Sequence, residues 1–141
     1  MHTQMKLLFI VIVSLCITII AKAQVSKGRA TLLKTINNFD RKDSSTKLCD
    51  ILMVLDEGEK KLKFFEPDRE FDIVEKLKDE PYVQDKTISF KQFKMVDDNG
   101  KKCYVNLFIS PKGLIYVSLI YQDYNYNYMV LENALKEALK K

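Results

Sequence analysis

The sequence predicts an α+β domain: a curved antiparallel sheet of three to five strands, packed on one side by N-terminal, middle and C-terminal helices. Two observations carry this. Three strand-like runs follow one another through residues 87–122, joined by turn-forming Asp98-Asn99-Gly100 and Ser110-Pro111-Lys112-Gly113. Apolar residues at helical spacing recur in three other stretches, near the start, the middle and the end of the chain. A half-exposed meander needs one face covered, and those stretches are what is available to cover it.

The chain opens MHTQMKLLFIVIVSLCITIIAKAQ. Lys6 precedes an apolar run from Leu7 to Ile20, and Ala21-Lys22-Ala23 supplies a small-x-small site, the plan of a secretory signal peptide cleaved between Ala23 and Gln24. MKLLF at Met5 is the more compact basic start. A spanning helix needs about 20 apolar residues, and Lys22 stops this run short, so no membrane span is expected after cleavage. Cys16 lies inside the apolar run behind Leu15, a poor setting for a lipid-modified cysteine. The expected organisation is a leader over 1–23 and one small domain over 24–141, exported to the periplasm or the medium.

Within that domain, residues 26–39 read as a first helix, with Leu32, Leu33, Ile36 and Phe39 on one stripe. Residues 41–45 read as a loop. Lys47 to Phe65 fits either a helix capped by Ser45 or Thr46, or a hairpin pairing ILMVL with KLKFF around Asp56-Glu57-Gly58-Glu59; the five-residue apolar run favours the hairpin. Pro67-Asp68 reads as a helix start, with Phe71, Val74 and Leu77 as its stripe and Pro81 as its stop. In the meander, Ile88 and Phe90 are out of phase with Phe93 and Met95, which predicts a bulge near Lys91-Gln92. The last helix is expected from about Tyr128 to Lys140, striped by Leu131, Ala134, Leu135, Ala138 and Leu139. That order of elements resembles the cystatin-like and NTF2-like cone architectures; the Gln-x-Val-x-Gly segment of cystatins is missing, so protease inhibition of that kind is not implied.

Removing residues 1–23 takes away Lys6, Lys22 and the single histidine, His2. What remains has 21 basic against 19 acidic residues, a net charge of +2, interspersed along the chain. A nucleic-acid partner is not expected from so even a distribution. Without histidine, a His-based triad, a Cys-His pair and His-ligated zinc are all excluded from residues 24–141, and two cysteines are too few for a thiolate zinc site. No metal and no cofactor is expected. Cys49 and Cys103 form a candidate disulfide in an oxidising compartment, against the alternative of two buried thiols.

Three further patterns carry possible chemistry. Asp68-x-Glu70-x-Asp72 spaces acids like the start of a calcium loop, but Ile73 and Asp79 fall where that loop needs Gly and Glu. Asp97-Asp98 resembles a carboxylate pair but sits where turn chemistry explains it. The stretch Tyr121, Tyr124, Asn125, Tyr126, Asn127, Tyr128 is the most unusual. If extended, its three later tyrosines share one face and its asparagines the other, either as packing or as an adaptable recognition surface. Together these suggest a small non-enzymatic interaction module (an inhibitor, an immunity-type protein or an accessory subunit) with another protein as partner. A carrier of a small apolar ligand is the alternative, and a carboxylate-based hydrolase is the remotest reading.

Overall fold

The computed structural model describes residues 25–131, and all of their regular structure is β. Eight strands run β1 Val25–Asn37, β2 Ser44–Asp56, β3 Lys61–Phe65, β4 Arg69–Pro81, β5 Ser89–Asp97, β6 Lys102–Ser110, β7 Gly113–Ile120 and β8 Tyr124–Met129. Each pairs antiparallel with the next. β1 pairs with β8 from Leu32↔Met129 to Asn37↔Tyr124, which closes an up-and-down barrel with no open sheet. The α+β expectation is therefore corrected to all-β. The leader lies outside the described residues, as do positions 132–140 of the expected last helix; Tyr128 and Met129, also assigned to that helix, belong to β8.

The helical spacings have a structural cause. In β4, Glu75 pairs with Lys94 and Ile73 with Met95, so Val74 is an extra residue; Leu77 is a second one, between Lys76↔Phe93 and Lys78↔Gln92. The apolar spacing of three is therefore not one face: Phe71 is buried in the lumen, whereas Val74 and Leu77 are the exposed extra residues of two bulges. Pro67 sits in the turn joining β3 to β4, not at a helix start. In β1 the register slips between Ala30 and Leu32, so Ala30 and Leu33, three apart, both reach the core, while Leu32 faces outward. The Lys47–Phe65 stretch is the β2–β3 hairpin, with Leu55↔Leu62 and Met53↔Phe64 paired across it.

No bulge interrupts β5 against β6: the register runs unbroken from Ser89↔Ile109 to Val96↔Lys102. The phase of β5 is instead set by Phe93, Met95 and Asp97, which point into the barrel, with Lys91 following the same phase. Phe90 faces out.

The lumen is filled. Phe71, Phe93, Met53, Met95, Leu55, Leu62, Val105, Leu107, Leu114, Val117 and Leu119 are all essentially inaccessible, as eight strands leave an interior just wide enough for side chains. Where β1 crosses the start of β7, two glycines permit close approach. A Cβ on Gly28 would overlap the Leu114 carbonyl, and one on Gly113 would overlap the Lys27 carbonyl.

One rim carries the turns at 38–43, 66–68, 98–101 and 121–123; the other carries those at 57–60, 82–88 and 111–112. The second rim is plugged by ions. Lys91 Nζ lies 2.6 Å from Glu57 Oε2 and 3.6 Å from Asp79, and Lys76 Nζ lies 2.9 Å from Glu57 Oε1. Lys91 and Glu57 keep only about 15% of their side-chain surface, so their charges are held largely against each other. The outer wall of β1 to β5 is charged, with ion pairs Arg29–Asp50, Lys61–Glu70 and Lys94–Glu75. No helix among the described residues is long and apolar enough to cross a membrane.

Cys49 and Cys103 do not form the expected disulfide; their sulfurs are not at bonding distance. β2 neighbours β1 and β3, while β6 neighbours β5 and β7, so the two residues stand on non-adjacent strands. Bridged cysteines need Cα atoms about 4.4–6.8 Å apart. Cys49 Sγ instead approaches the Ala30 carbonyl at 3.6 Å, and burial pushes the Cys103 thiol up to about 11.

Candidate functional site

The tyrosine–asparagine stretch forms β8 and the turn before it. Its alternation is that of a strand. Tyr128 opposes Val117 and Leu33, Tyr126 opposes Leu119 and Thr35, and Tyr124 opposes Asn37, all on the lumen side. Tyr128 is buried edge-on against Phe64 at 4.8 Å, and its burial raises its hydroxyl pKa. Asn125 and Asn127 face out. Asn125 Oδ1 accepts from Asn38 Nδ2 at 3.0 Å; Asn127 Oδ1 accepts from Ser118 Oγ at 2.6 Å and Tyr116 Oη at 3.0 Å. Tyr128 is thus core, Tyr126 packs against that core, Tyr124 stays half-buried beside Asn37, and the amides are stitches in the wall.

Tyr121 ends inside the barrel, where its hydroxyl donates to Asp97 Oδ2 at 2.8 Å. Asp97 is buried, and its Oδ1 accepts from the Asn99 and Lys101 amides. Arg69 reaches both Asp97 and Asp98 while its guanidinium stacks 5.0 Å from the Phe71 ring centre. Burial works to raise the Asp97 pKa. The Lys101 amide, the Tyr121 hydroxyl, the Asn99 amide and Arg69 outweigh it, so the carboxyl sits below its ordinary range. A general base or acid needs the reverse, so Asp97 pins a turn and a strand together. Tyr121 is pushed upward, first by burial and then by that carboxylate. The acids of the calcium-like spacing do not converge on a shared point either. Asp68 accepts from the Glu66 amide in the β3–β4 turn, and Glu70 is held by Lys61 on the outer wall. Among the described residues no cluster of three or more candidate ligands could hold a metal.

The wall itself offers a more open site. Glu75, Lys94, Tyr104 and Ile120 are direct cross-strand partners over β4, β5, β6 and β7, and Asn125 continues the row on β8. Beside it run Val96↔Lys102 and the bulged Val74. The β4–β7 part of this row, with Val74, Val96 and Lys102, lines a groove that encloses about 560 Å³. Val74 is 64% and Tyr104 46% exposed, so the apolar surface is available. Tyr121 and Gln122 border its far end, which links one residue of the tyrosine stretch to the groove. The groove was not legible from spacing, because it is assembled by register across four strands; the one local signal was exposed Tyr104 between lysines at 101–102 and Asn106.

No protein-family model, no curated protein and no solved structure matches the chain.

Proposed function

We propose that this chain is a small exported protein-binding module that works without catalysis, and that it holds its partner in the groove across β4–β7. The observation that carries the reading is the contrast between lumen and wall. The lumen is filled by its own side chains, whereas the groove leaves Val74 and Tyr104 open to solvent between Lys94 and Lys102. Exposed apolar surface rimmed by charge is the usual character of a recognition site. Lys94 is already matched by Glu75 at 3.6 Å, which leaves Lys102 to meet an acidic group. The partner that fits is an extended protein segment with one bulky apolar side chain beside a carboxylate.

The groove's volume also falls within the range of small-molecule sites, so a small amphipathic acid is the second reading. Tagged protein and its Tyr104→Ala and Lys102→Glu variants, used to capture partners from secreted and envelope fractions, test the proposal. Recovery of one stoichiometric protein by the parent chain, lost with both variants and reproduced with purified components, supports it. Retention by both variants overturns the groove. Co-purification of a small acid in place of a protein moves the function to the carrier.

A further inference from the structure

A pocket of about 360 Å³ opens on the outer wall where β1, β2 and β8 meet the 38–43 turn, lined by Lys34, Ile36, Asn38, Arg41, Ser44 and Asn125. It shares no lining residue with the β4–β7 groove. Strand register builds its floor: Ile36 pairs with Ser44 on one side and with Asn125 on the other.

The lining holds two cations and no acid. Lys34 and Arg41 are exposed, and neither meets a carboxylate among the described residues. The acids close by are committed elsewhere. Asp40 Oδ1 accepts the Lys42 amide at 3.1 Å, and Asp43 Oδ2 accepts from Asn37 Nδ2 at 3.2 Å. Asp123, across the rim, lies 3.7 Å from Lys101 Nζ. On the β1–β5 wall, by contrast, Arg29, Lys61 and Lys94 each meet an acid.

The surrounding donors are held in place. Asn37 Oδ1 accepts the Phe39 and Asp40 amides, and the Asp43 amide donates to the Asp40 carbonyl, so the turn carrying Arg41 is closed by its own bonds. Asn38 Nδ2 donates to the Tyr121 carbonyl at 2.9 Å and to Asn125 Oδ1 at 3.0 Å. The second bond occupies the Asn125 oxygen and leaves its Nδ2 as a donor beside the cations.

A guanidinium fork, an ammonium, an amide N–H and a hydroxyl together suit an oxyanion. Two unneutralised positive charges call for two negative ones. A phosphate monoester carries about −1.5 to −2 charge at pH 7 on three acceptor oxygens, whereas a single carboxylate leaves one cation unmet. The volume falls at the lower end of small-molecule sites, and Ile36 offers apolar surface to an organic group. We propose that this pocket binds a small phosphate monoester, with Arg41 and Lys34 on the phosphate and Ile36 under its organic part. It is a second site, independent of the partner groove.

Titration of the isotope-labelled chain with phenyl phosphate at constant ionic strength, read by NMR, tests this. The expected result is saturable shifts confined to Arg41, Ser44 and the Asn125 side-chain amide. Affinity should exceed that for benzoate, which has the same ring and one negative charge, by about tenfold or more. Lys34→Gln/Arg41→Gln should weaken phenyl phosphate binding by about tenfold or more while the lumen signals of Phe71 and Phe93 stay unchanged. Lys112→Gln, on the opposite rim, should bind as the parent does. Equal affinity for benzoate overturns the phosphate assignment. No shift, shifts that never saturate, binding that survives in the double variant, or an equal loss in Lys112→Gln overturns the site and leaves only a general positive field.

Discussion

The Tyr121 hydroxyl donates to Asp97 Oδ2 across 2.8 Å of barrel interior, tying the turn between β7 and β8 to the end of β5. The same carboxylate accepts two turn amides and meets Arg69. Removing the hydroxyl leaves a buried oxygen short of one donor. Tyr121→Phe is expected to cost about 1–3 kcal/mol, read as a lower urea midpoint with an unchanged slope.

The sign of the pH dependence follows from Asp97. Its folded pKa is depressed, so its contribution is fully present above the unfolded value of about 3.9 and is lost as pH falls through the folded value. Stability measured by urea unfolding should fall steadily below about pH 4. In Asp97→Asn that acid loss should be smaller, from a lower starting stability. Parallel curves for parent and variant would mean that the carboxylate is not what acid titrates.

Glu57 and Lys91 should behave as a unit. Lys91→Met leaves the Glu57 carboxylate largely buried with only Lys76 near it, and a loss on the order of 2 kcal/mol is expected. The double variant Glu57→Leu/Lys91→Met should recover most of that loss. A thermal-unfolding double-mutant cycle reads the coupling directly; additive losses would show that the plug is not energetically paired.

Cys103 should be a slow thiol. A pKa near 11 leaves so little thiolate at pH 8 that its alkylation is expected to be about two orders of magnitude slower than in the unfolded chain. Timed iodoacetamide labelling with peptide mapping measures this, and the intact mass should show no two-hydrogen deficit between Cys49 and Cys103.

Gly28→Ala tests the crossing of β1 over β7. The new methyl meets backbone, not a side chain that can swing away, so a cost of about 1–3 kcal/mol is expected by chemical denaturation. Gly100→Ala, with open space but φ of +79°, should cost only about 1 kcal/mol through backbone strain.

The meander was legible because its signals are local. Asn99-Gly100 and Pro111 to Gly113 mark turns, and Cys103, Val105 and Leu107 alternate cleanly on β6. The helices were misread where local pattern and tertiary role diverge. Val74 and Leu77 are bulge residues whose extra positions imitate a helical stripe. Leu32 is apolar yet outward-facing, so β1 shows apolar residues on both faces and loses its period of two. The groove was invisible for a different reason: Lys94, Tyr104 and Ile120 become neighbours only through strand register.

Taken alone, the sequence determined that tyrosines and asparagines would separate to opposite faces at 124–128 if that stretch were extended, because side chains in an extended chain alternate. It also determined that residues 24–141 contain no histidine for catalysis or metal binding. Only the tertiary structure decided which face is inside. That choice rests on β1 pairing with β8 some ninety residues away, and hydrogen bonds between such distant strands leave no mark in any short window of sequence. Closure turned Tyr128 into core with Tyr126 packed against it, kept Cys49 and Cys103 on non-adjacent strands, and left an open groove on the wall.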